Sequence, residues 1–402
     1  LNLDLPDFNL PDLGGHTGNI TASIKERETG LAVLRKLRAS GRLIENPEVN
    51  LWIRSLGNKL TSRAPRSPNP FYFVVSRDPS VNAFATLGGV IVINSGLILT
   101  TSSESELAAV IAHEIAHVTQ RHIPRMLEKA QNNKFATGAA LLAGVLAATK
   151  DSEAGSAIIN ATLATAAHKQ LAFGREAEAE ADRVGLRILA SAGLNPQAMP
   201  SFLQKLEQYG DSRNADIREF LQNHPLTVKR VSDTSVRASQ FGPFKGKENI
   251  SYLYMREKIR ALIGSNIPAP SALPATVKKY SNAKQLQKRG AYPQALQTTG
   301  NTTTNKRISE AILLAELFTK QGQFKKTISL LTPLTRIYPG NEALTVPLAH
   351  AYISQGQLHQ AWRALKEIHI SEQTSLETFE VKQEVARLLG YTSLAYRAVA
   401  ER

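Results

Sequence analysis

The chain has 402 residues, of which 42% are hydrophobic and 20% are charged. This composition is close to that of globular proteins and excludes a largely disordered chain, and the length predicts two domains. The sequence contains no cysteine, which excludes disulfides, a thiol nucleophile and any metal site built on thiolates. A bound metal ion would need histidine, aspartate or glutamate ligands.

The chain is basic, with a net charge of +14. Such an excess favours acidic partners, including nucleic acids. More than half of it lies beyond residue 275, scattered among apolar, helix-like segments without the aromatic-rich motifs of nucleic-acid-binding domains. We therefore expect a solvated helical surface there and no nucleic-acid partner.

The N-terminal segments predict an extended arm, two helices and two strands. Residues 1–20 mix Pro, Gly, Asp and Asn without a sustained hydrophobic period, which is typical of an arm. Between residues 22 and 60 apolar residues recur at helical spacing, with a Gly and a Pro dividing two helices. Residues 71–78 and 90–93 are β-rich, and the second segment is either an edge strand that pairs with an extended substrate or a core strand.

A long helix is expected to begin at Ser102 or Ser103 and to run to residue 123, and another covers residues 175–193. Between them lie two apolar, Ala-rich stretches within residues 135–167, each shorter than the roughly 20 residues of a membrane-spanning helix. We predict a buried or lid-like helical hairpin there. Peripheral membrane contact is the alternative.

The C-terminal part is repetitive. Gly322, Gly356 and Gly390 are 34 residues apart, which is the period of the tetratricopeptide repeat, a pair of packed helices. Residues 266–279, rich in Pro, Ala and Ser, form the best candidate linker before these repeats. We expect three or four helix pairs in residues 280–402, against the alternative of a generic helical bundle.

His113, Glu114 and His117 form an HExxH motif inside the long predicted helix. Residues four apart lie on one face of a helix, so both imidazoles can bind one zinc ion while Glu114 lies close to a water molecule on it. Zinc hydrolases usually add a third protein ligand. His122, by contrast, follows His117 by five residues, about 140° round a continuous helix, and is expected to point away from the metal.

Candidates for the third ligand lie on the helix predicted at 175–193, and composition alone does not choose among them: Glu176, Glu178, Glu180 and Asp182. Glu178 and Asp182 are four residues apart, so one could bind zinc while the other orients a ligating histidine. The alternative is that this acidic run is a solvated helix face.

The motif HEIAH at 113–117, followed by EAEAD at 178–182, resembles the gluzincin metalloproteases of the HtpX, Oma and CAAX prenyl protease type. The pattern of those proteins is HExxH with a later ExxxD. The likeness is closer still to periplasmic members that join such a domain to C-terminal tetratricopeptide repeats. Supporting segments span most of residues 10–240.

The resemblance implies a mainly α fold, in which an α+β zincin-type metalloprotease domain with a small β-sheet precedes an all-α repeat solenoid. With the boundaries above, the arm occupies residues 1–20, the metalloprotease domain 21–265, the linker 266–279 and the repeats 280–402. By the same resemblance one zinc ion per chain is bound by His113, His117 and Glu178. Glu114 is then the general base or acid, and Asp182 supports the ligands from behind.

Two further residues complete the predicted site. The resemblance suggests that His224, in a loop-like segment, can approach the zinc, either as a latch on the open position or as a stabiliser of the oxyanion. An ordinary surface histidine is the alternative. Arg230 could hold a substrate carbonyl or a carboxylate of the site, or form a structural salt bridge.

The resemblance also implies a zinc-dependent endopeptidase of outer-membrane protein quality control, placed in the bacterial periplasm and soluble or peripherally membrane-associated. Its substrates would be misfolded or stalled β-barrel and envelope proteins, and its repeats would bind the outer-membrane assembly machinery. The start at Leu1 without an initiator methionine favours an exported protein.

Two other functions stay open. The first is a chaperone or assembly adaptor whose repeats do the main work and whose zinc site is largely latched. The second is a repeat scaffold with a structural zinc, which is disfavoured because Glu114 would have no role beside three sufficient ligands.

Overall fold

The computed structural model describes residues 20–132, 174–210, 220–265, 272–300 and 307–391. These residues form many helices and one small sheet, which confirms the mainly α fold class. The N-terminal helices are α1 Ile20–Ala39, α2 Pro47–Thr61, α3 Ser95–Thr100, α4 Glu104–Thr119, α5 His122–Asn132, α6 Arg175–Ser191, α7 Ala198–Gly210, α8 Val228–Ser239 and α9 Ile250–Ile263. The C-terminal helices are α10 Ala275–Lys288, α11 Tyr292–Thr299, α12 Ile308–Lys320, α13 Phe324–Ile337, α14 Glu342–Ser354, α15 Leu358–Lys366 and α16 Leu376–Leu388.

The sheet has three strands, β1 Tyr72–Ser76, β2 Ala83–Ala85 and β3 Val90–Asn94, in the order β1-β3-β2. Strand β3 pairs parallel with β1 and antiparallel with β2. All five residues of β3 are buried, as expected for a strand that is covered on both faces. Of the two alternatives for residues 90–93, the structure therefore shows the core strand, and β2 is an edge strand of this sheet.

The first hydrophobic core joins the sheet to α2, α4, α6 and α7. Helices α4 and α6 pack closely, and a glycine permits their approach. A Cβ atom added at Gly185 of α6 would lie 3.0 Å from the backbone nitrogen of His113 in α4. The two helices with the candidate ligands therefore touch at the level of the HExxH motif.

The long predicted helix is interrupted, which corrects the expected end at residue 123. Helix α4 ends at Thr119, and α5 begins at His122. Between them Arg121 has a φ of 53°, in the left-handed region, and no other non-glycine residue of the described ranges has a positive φ. The Arg121 guanidinium is paired with Glu26 of α1 at 2.9 Å, which holds this turn in place.

A second hydrophobic core lies among the C-terminal helices. Helix α9 joins the two cores, because Tyr252 is buried in the first while Tyr254 and Met255 are buried in the second. Helix α10 begins at Ala275, inside the segment predicted as a linker. The division into domains stays a prediction.

Successive C-terminal helices pack against each other, from α10 to α16. Four glycines with positive φ lie just beyond α10, α12, α14 and α16: Gly290, Gly322, Gly356 and Gly390. The last three have the 34-residue spacing from which the repeats were predicted, and Gly290 lies 32 residues before Gly322. Glycine is the residue that adopts this conformation at a helix end without a steric penalty. The packing agrees with helix pairs, and their assignment as tetratricopeptide repeats stays a prediction.

The C-terminal helices also contact the N-terminal helices and the sheet directly. Helix α14 packs on α2, and Arg54 of α2 lies 3.3 Å from Glu342 of α14. The backbone N–H of Phe73 in β1 donates to Gln373 Oε1 at 2.9 Å. These contacts connect the repeat-like helices to the side of the sheet formed by β1.

Two predicted segments, the arm at 1–20 and the hairpin at 135–167, lie outside the described residues except for Ile20, the first residue of α1. Among the described helices, none combines the length and apolar character needed to cross a bilayer.

Candidate metal centre

Helix α4 positions the HExxH motif in the centre of the first core. Its N-terminus is capped by Ser103, whose hydroxyl accepts from the backbone N–H of Glu106 at 3.2 Å, as the sequence predicted. The alanines and aliphatic residues that precede the motif are buried, and the helix is therefore held on several sides. One turn apart, His113 Nε2 and His117 Nε2 lie 2.9 Å from each other.

Glu178 and His224 complete a group of potential metal ligands. One carboxylate oxygen of Glu178, on α6, lies 3.4 Å from His113 Nε2, and the other lies 3.5 Å from His117 Nε2. His224, which precedes α8, places Nδ1 3.3 Å from His113 Nε2 and 3.2 Å from Glu178 Oε1. Ligand atoms of these four buried residues lie within 4.8 Å of one another, as in a metal site.

The protonation of two of these residues suits a metal site. Burial would raise the pKa of Glu178, but the charge of His224 and the hydrogen bonds of His113, His117 and His224 outweigh burial and hold it well below its usual range. Burial lowers the pKa of His117 well below its ordinary value, so its ring is neutral. A carboxylate and a neutral imidazole are the forms that bind metal ions.

Asp182 and Arg230 lie behind the potential ligands. Asp182 Oδ1 lies 3.0 Å from His113 Nδ1, the nitrogen directed away from the ligand group. Burial opposes a charge on His113, but hydrogen bonds to Asp182 and Glu178 outweigh it and raise its pKa to about 10. Arg230 donates to both oxygens of Asp182, at 2.7 and 2.8 Å, and lies 2.8 Å from Glu178 Oε2. Arg230 thus neutralises carboxylates of the site.

Only one of the two carboxylate oxygens of Glu114 has a hydrogen bond among the described residues. Its Oε2 accepts from the backbone N–H of Ala85, in the edge strand β2, at 3.0 Å. Its Oε1 is buried without a hydrogen-bond partner among the described residues, and His224 Nε2 lies 3.4 Å away. Burial raises the pKa of the Glu114 carboxyl, although the charges of His224 and His113 act in the opposite direction. A raised pKa suits a group that must both take and release a proton.

His122 contacts His117 of the potential ligand group, contrary to the expectation that it points away. The expectation assumed a continuous helix, whereas the turn at Arg121 brings His122 back toward the site. Its Nδ1 lies 2.8 Å from His117 Nδ1, and its Nε2 lies 3.0 Å from Glu180 Oε2. The only sign of a helix end in the sequence is the polar pair Gln120 and Arg121 after Thr119. Such a pair does not indicate that a residue adopts the left-handed conformation.

Two helix-borne histidines, a carboxylate from a second helix and a buried glutamate beside them are the arrangement of a metallopeptidase active site. The sequence profile of peptidase family M48 matches residues 47–238, which include every residue of this group.

Curated proteins similar to the chain have names that agree with this class. It is 37% identical over 298 residues to the beta-barrel assembly-enhancing protease of Yersinia pestis, covering 71% of this chain and 61% of that protein. It is 40% identical to a putative beta-barrel assembly-enhancing protease of Vibrio cholerae, over 66% of this chain and 54% of that protein. A beta-barrel assembly-enhancing protease of Escherichia coli is 31% identical over 88% of this chain and 74% of its own length.

The chain therefore belongs to peptidase family M48, and the matched region is a metalloendopeptidase domain with a metal cofactor. The recognition from the HExxH and ExxxD motifs is confirmed. The chain spans between half and two thirds of the length of the Yersinia and Vibrio relatives. The role of each site residue stays a prediction.

Proposed function

We propose that this chain is a zinc-dependent endopeptidase that hydrolyses peptide bonds of misassembled or stalled outer-membrane β-barrel proteins. The observation that carries the enzymatic part is the convergence of His113, His117 and Glu178 beside a buried Glu114 oxygen that has no hydrogen-bond partner in the described part of the chain. The substrate class is taken from the names of the relatives, which are proteases that enhance β-barrel assembly.

The donor set fits zinc. Imidazole nitrogens and one carboxylate are the ligands of many catalytic zinc ions, and no sulfur ligand is available in this chain. A zinc ion bound there would polarise the scissile carbonyl and lower the pKa of a water molecule toward about 7. His113, His117 and Glu178 would bind the ion, and Asp182 would fix the proton of His113 on Nδ1.

Glu114 takes the proton of the attacking water in this proposal and passes it to the nitrogen of the leaving amine. The hydrogen bond from Ala85 holds Oε2, so Oε1 is the oxygen that exchanges the proton. Arg230 acts as a positioning residue, because its guanidinium contacts the carboxylates of Asp182 and Glu178.

His224 is proposed as a latch. Its Nδ1 lies within the ligand group and its Nε2 faces Glu114, so the imidazole fills the space where a substrate carbonyl would have to approach. A loop residue can leave such a position more readily than a residue inside a helix, and the enzyme would spare folded neighbours while His224 is in place.

Location and partners are proposed on the same basis. The relatives' names place their activity in β-barrel assembly, and we propose the bacterial periplasm for this chain, either free or peripherally bound to the membrane through residues 135–167. The C-terminal helices would act as tetratricopeptide repeats that bind the outer-membrane assembly machinery.

An assembly adaptor with a largely latched zinc site is the second candidate. The burial of all four ligand residues favours it, since His224 is only 2% exposed and Glu178 is fully buried. The two candidates differ in whether Glu114 is needed. An adaptor acts by binding other proteins through its surface and does not need proton transfer by Glu114.

The test compares the wild type, Glu114→Gln and the control Glu207→Gln, which changes an exposed residue of α7. Zinc content is measured together with the cleavage of casein. We expect one zinc ion in all three proteins and a fall in kcat of about 10²- to 10⁴-fold in Glu114→Gln alone, the range for loss of a general base. Equal cleavage by Glu114→Gln would refute the proposed enzyme. Zinc binding without cleavage by any of the three would favour the adaptor.

A further inference from the structure

We propose that His122 and Glu180 are positioning residues that orient the ligand His117 through two hydrogen bonds in series. The inference rests on the proposed metal site and adds two residues to it. Neither is a defining residue of the HExxH or ExxxD pattern, and no motif in the sequence joins them.

The contacts form a continuous chain. His122 Nδ1 lies 2.8 Å from His117 Nδ1, and His122 Nε2 lies 3.0 Å from Glu180 Oε2. The rings of His117 and His122 meet edge to face, at an interplanar angle of 75°. His122 is 4% exposed, so water does not compete freely for either nitrogen.

The direction of the hydrogen bonds follows from the side of His117 that faces the other ligands. His117 Nε2 is the nitrogen beside His113 and Glu178, so it must be free of a proton to bind a metal ion. A neutral imidazole then has its proton on Nδ1. His117 Nδ1–H therefore donates to His122 Nδ1, and His122 Nε2–H donates to the carboxylate of Glu180, which can only accept.

The two ligating histidines are thus supported by the same helix. Asp182 of α6 contacts His113 directly, at 3.0 Å, whereas Glu180 reaches His117 through His122. Acceptors behind a ligating histidine fix its tautomer and ring orientation, and their loss typically weakens metal affinity by about 10- to 100-fold.

The backbone between α4 and α5 gives independent support for the placement of His122. A continuous helix would turn His122 about 140° away from His117, and the left-handed conformation of Arg121 is what returns it. The left-handed conformation is sterically unfavourable for a residue with a side chain. The side chain of Arg121 is anchored on Glu26, so the strained turn is held at the point where it places His122.

The test measures zinc affinity by chelator competition on the full chain. His122→Phe keeps the ring but removes both nitrogens, His122→Asn keeps an acceptor near the position of Nδ1, and Glu180→Ala removes the final acceptor. The controls are His359→Phe and Glu176→Ala, which change exposed residues. Circular dichroism and thermal unfolding of the metal-free proteins show whether each variant folds.

We expect His122→Phe to weaken zinc affinity by about 10- to 100-fold and His122→Asn to recover most of this loss. Glu180→Ala should also weaken zinc affinity, because it removes the final acceptor. The proposal is overturned if folded His122→Phe and Glu180→Ala bind zinc like the wild type, or if His122→Asn is as weak as His122→Phe. If His122→Phe does not fold, Glu180→Ala decides alone. A wild type that binds no zinc would instead remove the proposed metal site.

Discussion

At the scale of single residues, the site is a balance of buried charges. Glu114, Glu178 and Asp182 are each at most 4% exposed, and buried carboxylates require partners that offset their lost hydration. Arg230 supplies one positive charge, shared between Asp182 and Glu178. The proposed divalent cation would supply further positive charge beside Glu114 and Glu178.

His224 has the largest predicted effect on activity among the residues outside the motifs. If it latches the site, His224→Ala should raise the rate of casein cleavage by roughly tenfold, since release of a contact worth about 1.4 kcal/mol changes a rate by that factor. Three protein ligands remain, so zinc should stay bound. Steady-state cleavage and zinc content are measured together.

His350→Ala is the matched control, because His350 lies on α14, is partly exposed and pairs with Glu377 rather than with the site. If His224 stabilises the oxyanion instead of latching the site, His224→Ala should lower kcat by about 10²- to 10³-fold. A fall of that kind would contradict the latch.

At the scale of elements, the ligands meet because α4 and α6 touch. Gly185 makes this possible, although glycine within a helix destabilises it by about 0.5–1 kcal/mol relative to alanine. Any side chain at this position would press on the backbone of Ala112 and His113, which is buried and cannot move without moving a ligand.

Gly185→Val should therefore separate the two helices. We expect the free energy of unfolding to fall by about 1–3 kcal/mol, the range for an overpacked core, together with weaker zinc binding because Glu178 withdraws from the histidines. Urea unfolding of the metal-free protein and chelator competition measure the two effects. Ala190→Val, at a partly exposed position of α6, is the control, and equal behaviour of the two variants would show that the close approach is not required.

Local sequence patterns were sufficient to predict many of these helices and strands. The serine cap of α4, the boundaries of α6 and the buried β3 follow from capping residues and hydrophobic spacing, which act within a few residues. The break at Arg121 could not be predicted, because residues 104–123 keep a helical pattern and the left-handed turn is held by Glu26, 95 positions earlier. The approach of His224 to α4 likewise depends on packing between distant elements.

At the scale of the whole molecule, a buried ion cluster joins the catalytic domain to the C-terminal helices. Lys258 of α9 contacts both Glu48 of α2 and Glu316 of α12. Burial opposes its charge, but the two carboxylates outweigh burial and raise the pKa of Lys258 above its ordinary value. With Arg54–Glu342 and Phe73–Gln373, this cluster holds the proposed partner-binding helices in a defined orientation toward the metal centre.

We expect one zinc ion where α4, α6 and the segment before α8 meet. Anomalous diffraction at the zinc absorption edge, from crystals of the zinc-loaded protein, would locate this ion. One peak per chain is expected, about 2.0–2.2 Å from His113 Nε2, His117 Nε2 and a Glu178 oxygen, the usual zinc distances, with His224 alongside in the latched state. A peak at other residues, or none at this position in zinc-loaded protein, would show that these residues do not form the zinc site.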